Sequence, residues 1–335
     1  MSRGEPQADL FADVLPVEGA AARTKSKRLQ PRVTPVSPSE EMRALAARLP
    51  RGLHLGTSTW SFPGWAGLVY EESHDEAALA RDGLGAYAAH PLLRTVGIDR
   101  SFYAPLSVTT LERYARAVPA DFRFLMKAHA ALTTPKSARR PAFLQGAPQV
   151  FLDIPYAHEV VLEPARRLLA ERLGVVLLQF SPLGDRVLRH RQLLLERLER
   201  FLEAWPRGVI CAIEWRDADM LGEDYHALLA RYGAVHGLAS HPRLPPVDEQ
   251  GADPSASGPL VIRWLLARDR GYEEARSSFA PFDRLAAPDP DSRARIATLV
   301  RTALARGREV FVIINNKAEG SAPLGVHALA QEILR

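Results

Sequence analysis

The chain has 335 residues, of which 47% are hydrophobic, and its 43 basic and 39 acidic residues give a net charge of +4. No apolar run approaches the about 18 residues of a membrane span, and the N-terminus lacks the apolar stretch of a signal peptide. This small excess of basic residues has two interpretations: it keeps the protein soluble, or it attracts phosphate-bearing partners weakly. Charge alone does not identify a nucleic-acid-binding protein. The single cysteine, Cys211, cannot form an internal disulfide, so we expect a cytoplasmic protein.

The N-terminal segment has a different composition from the rest of the chain. Residues 1–40 are rich in Pro, Ala, Arg, Ser and Glu without a sustained period. Such a segment buries too little apolar surface to offset the entropy of ordering. We therefore predict a disordered tail over residues 1–45 and a single domain over residues 46–335. A basic cluster lies in this tail at Arg23, Lys25, Lys27, Arg28 and Arg32.

From Leu53 onward, eight short apolar runs rich in β-branched and aromatic residues follow one another. Continuous apolar runs of this length are typical of strands that are buried on both faces. The predicted strands are Leu53–Ser58, Leu93–Asp99, Phe122–Lys127, Val175–Phe180, Val209–Trp215, Val235–Ser240, Leu260–Leu265 and Val310–Asn315.

Most segments between these strands have helical spacing of their apolar residues. The predicted helices are Leu84–Ala89, Leu111–Val118, Leu162–Leu173, Leu193–Trp205, Tyr225–Tyr232 and Ile296–Ala305. The sixth gap, at Leu244–Pro259, is rich in Pro and Gly and predicts a loop with at most a short helical turn. Strands that alternate with helices predict parallel βαβ units. Because no Gly-x-Gly-x-x-Gly sequence opens a first helix, we favour a single (β/α)8 barrel of the TIM type, in the α/β class, over an open doubly wound sheet.

In such a barrel, the strands' C-terminal ends and the loops after them form the site. Each predicted strand ends in polar side chains after an apolar body, although any one of them alone is also compatible with a solvated strand end. The predicted catalytic residues are Asp99, Lys127 and Glu214. The predicted ligand-binding residues are Ser58, Trp60, Tyr103, His129, Gln179, Arg216, His241, Arg263, Asn315 and Asn316.

These residue types are compatible with several chemistries. Asp99 and Glu214 are candidates for a general base or, with His129 and His241, for ligands of a divalent metal. The alternative is that the carboxylates pair with basic residues across the barrel mouth. Lys127 ends a buried strand, where desolvation would lower its pKa as Schiff-base chemistry requires, but a lysine there more often holds an anion. The aromatic residues, Trp60 and Tyr103 among them, either pack over the barrel or stack on a planar ligand.

The basic and amide side chains at the rim suit an anionic ligand such as phosphate, sulfate or carboxylate. Two classes of function follow. The first is an enzyme that hydrolyses phosphodiester bonds in nucleic acid, which we favour, or that acts on a small anionic metabolite. The second is a non-catalytic binding or adaptor protein that is recruited through the N-terminal tail. A metal at the rim would favour the hydrolase, whereas a buried ion-paired network of Glu214 and Arg216 would favour the binding protein.

From about Leu53 to the C-terminus the sequence resembles the YecE-like proteins, domain-of-unknown-function family 72. Motifs that carry the resemblance include Gly56-Thr57-Ser58-Thr59-Trp60, Ser101-Phe102-Tyr103, Gln179-Phe180-Ser181-Pro182, Glu214-Trp215-Arg216 and Asn315-Asn316. The resemblance implies a TIM-type barrel and no established reaction. The chain departs from the family at Gly97 and Asp99, where Glu and Asn are usual, and after Arg263, where His-Gly is missing. The residues that transfer best are Lys127, Gln179, Glu214, Arg216 and Asn315.

The tail carries a further motif. It is similar to the Gln-x-Asp/Ser-Leu-Phe peptide by which bacterial proteins dock on the sliding clamp, and the matching residues are Gln7, Asp9, Leu10 and Phe11. In such a peptide the glutamine hydrogen-bonds in one pocket and the Leu-Phe pair fills an adjoining apolar pocket. Docking on the clamp would tether the barrel to DNA.

Overall fold

The computed structural model describes residues 33–136, 141–251 and 258–335. Its eight strands are all parallel, and they pair in chain order and close into a barrel. The strands are β1 Leu53–Thr57, β2 Thr95–Ile98, β3 Arg123–Lys127, β4 Leu173–Gln179, β5 Cys211–Glu214, β6 Val235–Ser240, β7 Leu260–Trp264 and β8 Val310–Ile314. The predicted (β/α)8 barrel is confirmed.

Helices surround the barrel. They are α1 Glu40–Arg48, α2 Glu76–Asp82, α3 Leu84–Ala88, α4 Val108–Ala117, α5 Ile154–Tyr156, α6 Glu163–Leu169, α7 Asp185–Leu188, α8 Arg191–Glu203, α9 Glu223–Tyr232, α10 Tyr272–Phe279, α11 Pro290–Ala305, α12 Asn316–Glu319 and α13 Ala322–Ile333. In the described part of the sixth gap, which omits residues 252–257, the only helical turn is the 3-10 turn Val247–Glu249, as expected. No helix in the described ranges is long and apolar enough to cross a membrane.

Ordered structure begins before the predicted boundary at residue 45. Val33 is buried, and the Val36 amide donates to the Val69 carbonyl. Helix α1 starts at Glu40, because the Ser39 hydroxyl caps its first turn by accepting from the Met42 amide. The last part of the predicted tail is therefore part of the domain, whereas residues 1–32 lie outside the described ranges.

The barrel interior explains how the strands position a site. Side chains at alternate strand positions point inward, and the lower interior is filled by a cluster of apolar side chains: Leu125, Val175, Leu177, Ala212, Val235, Val261, Phe311 and Ile313. Two residues further along their strands, the same alternation places four polar side chains above this cluster: Lys127, Gln179, Glu214 and Arg263.

Close approach of strands β1 and β2 requires glycine at position 56. A Cβ atom there would lie 1.8 Å from the Thr95 carbonyl oxygen, far inside van der Waals contact. Gly56 thus allows the pairing of β1 with β2 in the register that aligns it with Thr95. This register contributes to closing the barrel below the rim.

Candidate functional site

Five charged side chains converge above the apolar interior, at the C-terminal ends of strands β2, β3, β5 and β7. They are Asp99, Lys127, Glu214, Arg216 and Arg263, here called the rim network. None of them is more than 5% exposed. Their assembly confirms that the polar strand ends meet, because residues from four strands contact one another although they lie far apart in the sequence.

Arg263 is the centre of the rim network. Its Nη1 atom lies 3.0 Å from both carboxylate oxygens of Glu214 and donates to Gln179 Oε1 at 3.2 Å. Its Nη2 atom lies 3.7 Å from Asp99 Oδ2. One guanidinium therefore joins the two carboxylates, and it also holds the side chain that ends β4.

The other two cations flank this centre. Lys127 Nζ lies 3.1 Å from Asp99 Oδ2, and Arg216 Nη2 lies 2.6 Å from Glu214 Oε1. The network thus contains three basic groups and two carboxylates. Buried ion pairs of this kind are compensated only when their hydrogen-bond geometry is good. The contacts of Glu214 with Arg216 and Arg263, at 2.6 and 3.0 Å, meet that condition, whereas the 3.7 Å between Arg263 Nη2 and Asp99 Oδ2 exceeds a hydrogen bond.

Burial and neighbouring charge shift the pKa values in opposite directions. Burial lowers the pKa of Lys127 to about 7, and the positive charge of Arg263 adds to this effect against the opposing influence of Asp99 and Glu214. Burial opposes ionisation of Glu214, but the cations Arg216, Arg263 and Lys127 outweigh it and lower the pKa of that carboxyl. Near neutral pH the Glu214 carboxyl is therefore charged, and Lys127 is close to half protonated.

Several polar atoms at the site have no hydrogen-bond partner among the described residues. They include Arg216 Nη1, Asp99 Oδ1, the hydroxyl of Ser58, and the Nε and Nη2 atoms of Arg263, and all of them are buried. Buried polar groups in proteins are nearly always hydrogen-bonded. Donors from both guanidinium groups of the network and one hydroxyl from the end of β1 are therefore available to a bound molecule.

The two predicted histidines lie beside the network. Burial and the charge of Arg216 lower the pKa of His241 to about 3, so its ring is neutral and its Nδ1 accepts from the Arg243 amide at 3.2 Å. His129 Nδ1 is 2.7 Å from the hydroxyl of Tyr156, and His129 lines a small cavity together with Lys127. The contact with Tyr156 was not predicted, because this tyrosine lies in the long connection after β3, where the sequence gives no strand-end signal.

The aromatic residues Trp60 and Tyr103 are packed against neighbouring rings. The Trp60 indole nitrogen donates to the Leu79 carbonyl at 3.1 Å, and its ring meets Tyr114 edge-on with centroids 5.1 Å apart. Tyr103 lies 4.8 Å from Phe143. These contacts match the packing alternative, and stacking on a planar ligand stays a prediction.

Asn315 and Asn316, after β8, make structural hydrogen bonds. Asn315 Oδ1 accepts from the Lys317 amide at 3.0 Å and caps α12. Asn316 Oδ1 accepts from the Trp65 indole at 3.2 Å and from the Ala322 amide at 2.8 Å. Both asparagines thus hold the segment after β8 in place, and their predicted contact with a ligand is untested.

The hypothesis of a metal site formed by Asp99, Glu214, His129 and His241 does not fit this arrangement. Within residues 33–136, 141–251 and 258–335, no three His, Cys, Asp or Glu side chains come together in a group that could hold a metal ion. The physical reason is that Arg263 contacts both carboxylates, so a guanidinium takes the position that a shared cation would need.

Two further features of the rim were missed. The Ser101 hydroxyl lies 2.7 Å from the Ile98 carbonyl and 2.6 Å from the Lys127 carbonyl, and so joins the ends of β2 and β3. A cleft of about 490 Å³ lies on the outer side of β6 and β7, between Ser240, Arg268 and the first turn of α11. Only the position of Ser240 at a predicted strand end pointed to this cleft.

Fold and site together define a closed parallel (β/α)8 barrel whose C-terminal mouth holds a buried, ion-paired cluster. The family model described as "Protein of unknown function DUF72" matches residues 54–335, and the chain belongs to this family. The expected family is thereby confirmed.

Two solved structures of DUF72 family proteins are similar to this chain. One, from Enterococcus faecalis V583, has a TM-score of 0.58 and 17% identity and covers 84% of this chain and 96% of its own. The other, from Thermotoga maritima MSB8, has a TM-score of 0.57 and 20% identity and covers 84% of this chain and 99% of its own. At these identities the likeness shows the fold alone. No curated protein matches the chain.

Proposed function

We propose that the rim network binds an anionic ligand that carries a phosphate, sulfate or carboxylate group. The observation behind this proposal is the charge count of a buried cluster: three basic side chains face two carboxylates, and all five are at most 5% exposed. An uncompensated buried charge is costly. When Lys127 is protonated, the network has one excess positive charge, and a bound anion would compensate it and lower the free energy of the network.

Arg216 is the group that we expect to contact the ligand. Its Nη2 atom is held by Glu214, whereas its Nη1 atom is buried without a hydrogen-bond partner in the described part of the chain. Guanidinium donors match the oxygens of phosphate and carboxylate in geometry and charge. The Ser58 hydroxyl, also unpartnered, supplies a second donor from the end of β1.

The engagement of both carboxylates by cations supports a binding function over metal-dependent hydrolysis. Glu214 is paired with Arg216 and Arg263, the arrangement that favours a binding protein. Hydrolysis of phosphodiester bonds in nucleic acid is a second candidate, favoured by Lys127, because a lysine with a pKa of about 7 can act as a general base. Arg216 and Arg263 would then stabilise the developing phosphate charge. The same groups would serve an enzyme that acts on a small anionic metabolite.

Calorimetric titration tests anion binding directly. Sulfate, inorganic phosphate and a single-stranded oligonucleotide would be titrated into the full chain at two salt concentrations. We expect Arg216→Gln to weaken binding at least about tenfold, as for the loss of a charge-assisted hydrogen bond. Arg243→Gln is the matched control, because that side chain is 57% exposed and lies outside the rim network. Failure of all three anions to bind the unmodified chain would refute the proposal.

Cleavage assays separate the second candidate from simple binding. If the protein is a hydrolase, metal-free cleavage of a labelled oligonucleotide disappears in Lys127→Met and survives in Lys136→Met, whose side chain is exposed. If the oligonucleotide binds but is not cleaved at either salt concentration, the Lys127-dependent hydrolase is excluded and the binding function remains.

We also propose that the peptide from Gln7 to Phe11 docks on the bacterial sliding clamp in the cytoplasm. The peptide lies outside the described residues, and its sequence supports the proposal: a glutamine is followed by an apolar Leu10-Phe11 pair. Binding of the full chain to immobilised clamp should be lost when Leu10 and Phe11 are both changed to Ala. Replacing Val14 and Leu15 by Ala is the control. Equal binding by both double variants would refute docking through this motif.

A further inference from the structure

Lys127 is the member of the rim network whose charge can change near neutral pH. Charged groups from three other strands face it: Asp99 follows β2, Glu214 ends β5, and Arg263 lies on β7. On its own segment the next titratable side chain is His129, whose Nδ1 atom lies 2.7 Å from the hydroxyl of Tyr156. The state of this lysine therefore decides the net charge of the cluster.

The charge count differs between the two states of Lys127. With a neutral lysine, Arg216 and Arg263 balance Asp99 and Glu214, and the buried cluster has no net charge. With a protonated lysine the cluster has one excess positive charge. An uncompensated buried charge is costly. The neutral lysine therefore suits the empty site, which then has no net charge. The protonated lysine suits the occupied site, because its positive charge compensates the charge of the anion.

We propose that the rim network takes up its anion together with a proton, which Lys127 carries, so that anion affinity falls as the pH rises through neutrality. This inference rests on the proposed anion-binding function and adds a property to that site. It assigns the ligand-linked proton to one side chain, and it distinguishes the site from a cluster of arginines, whose charge does not change in this pH range.

The size of the effect follows from the charge state of the empty site. Burial lowers the pKa of Lys127 to about 7, and a nearby anion raises it again because opposite charge favours the protonated form. If only the protonated form binds, affinity falls about tenfold between about pH 6 and pH 8. Proton uptake on binding should then be about half a proton at pH 7 and nearly one at pH 8.

Calorimetry of sulfate binding tests this coupling, and sulfate is chosen because it does not itself titrate in this range. Titrations of the full chain in buffers of different ionisation enthalpy give the number of protons taken up at each pH. Lys127→Arg keeps the positive charge but removes the titration, so it should bind sulfate with no proton uptake and with constant affinity. His241→Gln is the second variant, because this neutral histidine also lies near Arg216.

The possible results distinguish the two proposals. Proton uptake in the unmodified chain that vanishes in Lys127→Arg and persists in His241→Gln supports the assignment. If Lys127→Arg does not fold, Lys127→Met is used instead. We expect this variant to bind sulfate weakly and to take up no proton on binding. Sulfate binding without proton uptake overturns the coupling but leaves the anion site intact. Uptake that vanishes only in His241→Gln overturns the assignment to Lys127, and no sulfate binding at any pH refutes the anion site itself.

Discussion

The buried lysine of the rim network predicts a pH dependence of stability that one substitution should remove. The folded-state pKa of Lys127, about 7, lies below the usual lysine value of 10.5. Between these values the unfolded chain binds more protons than the folded chain, so the free energy of unfolding rises with pH across this window. The penalty for burying the charged lysine is fully present below pH 7 and is relieved as the pH approaches 10.5.

Lys127→Met abolishes this dependence while it keeps a side chain of similar length. Relative to the variant, the unmodified protein should gain about 3 kcal/mol of unfolding free energy between about pH 6 and pH 9, as the linkage relation gives for this pKa change. The free energy of unfolding of both proteins is measured by urea denaturation at several pH values. The value for Lys127→Met is then subtracted from the value for the unmodified protein at each pH. Loss of the contact between Lys127 and Asp99 shifts the whole difference curve by a constant and leaves its slope unchanged.

Lys136→Met is the control for this experiment, since Lys136 is exposed and should give a curve parallel to that of the unmodified protein. A difference curve for Lys127→Met that is flat between about pH 6 and pH 9 would show that the lysine titrates at its ordinary value. That result would refute both the half-protonated state of the rim network and the proton-coupled binding inferred from it.

Three further substitutions test the packing of the site. Glu214→Gln removes the negative charge that pairs with the buried guanidinium groups of Arg216 and Arg263. It should lower the free energy of unfolding, measured by urea denaturation, by about 3–5 kcal/mol. Gly56→Ala should lower stability by about 3 kcal/mol or abolish soluble expression, since its Cβ meets a β2 carbonyl at 1.8 Å, whereas Gly52→Ala, whose Cβ would make only ordinary contacts at 3.8 Å or more, should be nearly neutral. Tyr156→Phe removes the 2.7 Å hydrogen bond to His129 and should lower the thermal midpoint by an amount that corresponds to about 1 kcal/mol.

The strands could be predicted because their signal is local. A strand buried on both faces needs a continuous apolar run, and β6, Val235–Ser240, has the predicted bounds. The strand ends then identify the rim, since parallel strands in a closed barrel all end on one face. Strand alternation puts Lys127, Glu214 and Arg263 on the inward face of their strands, and the register of neighbouring strands then sets their height in the barrel.

The ion pairs between side chains across the barrel mouth could not be predicted from the sequence. Nothing in the residues around Arg263 indicates that its guanidinium reaches both Asp99 and Glu214, because that contact depends on how three strands are placed in space. Trp60 carries no sequence signal for its buried hydrogen bond to Leu79. Helix α1 was missed because the charged and small residues of Glu40–Arg48 resemble the preceding tail in composition.

The position of Arg263 between two carboxylates has a consequence for any chemistry at this site. A metal ion shared by Asp99 and Glu214 would keep open coordination positions for a ligand, whereas the Nη1 atom of this guanidinium is already engaged by Glu214 and Gln179. Arg263 therefore acts on the carboxylates and positions them. The donors left for an anion are Arg216 Nη1 and the Nε and Nη2 atoms of Arg263, and the charge of Lys127 changes with pH. On the proposed anion-binding function, the two guanidinium groups would supply the donors and the charge of Lys127 would set the pH dependence.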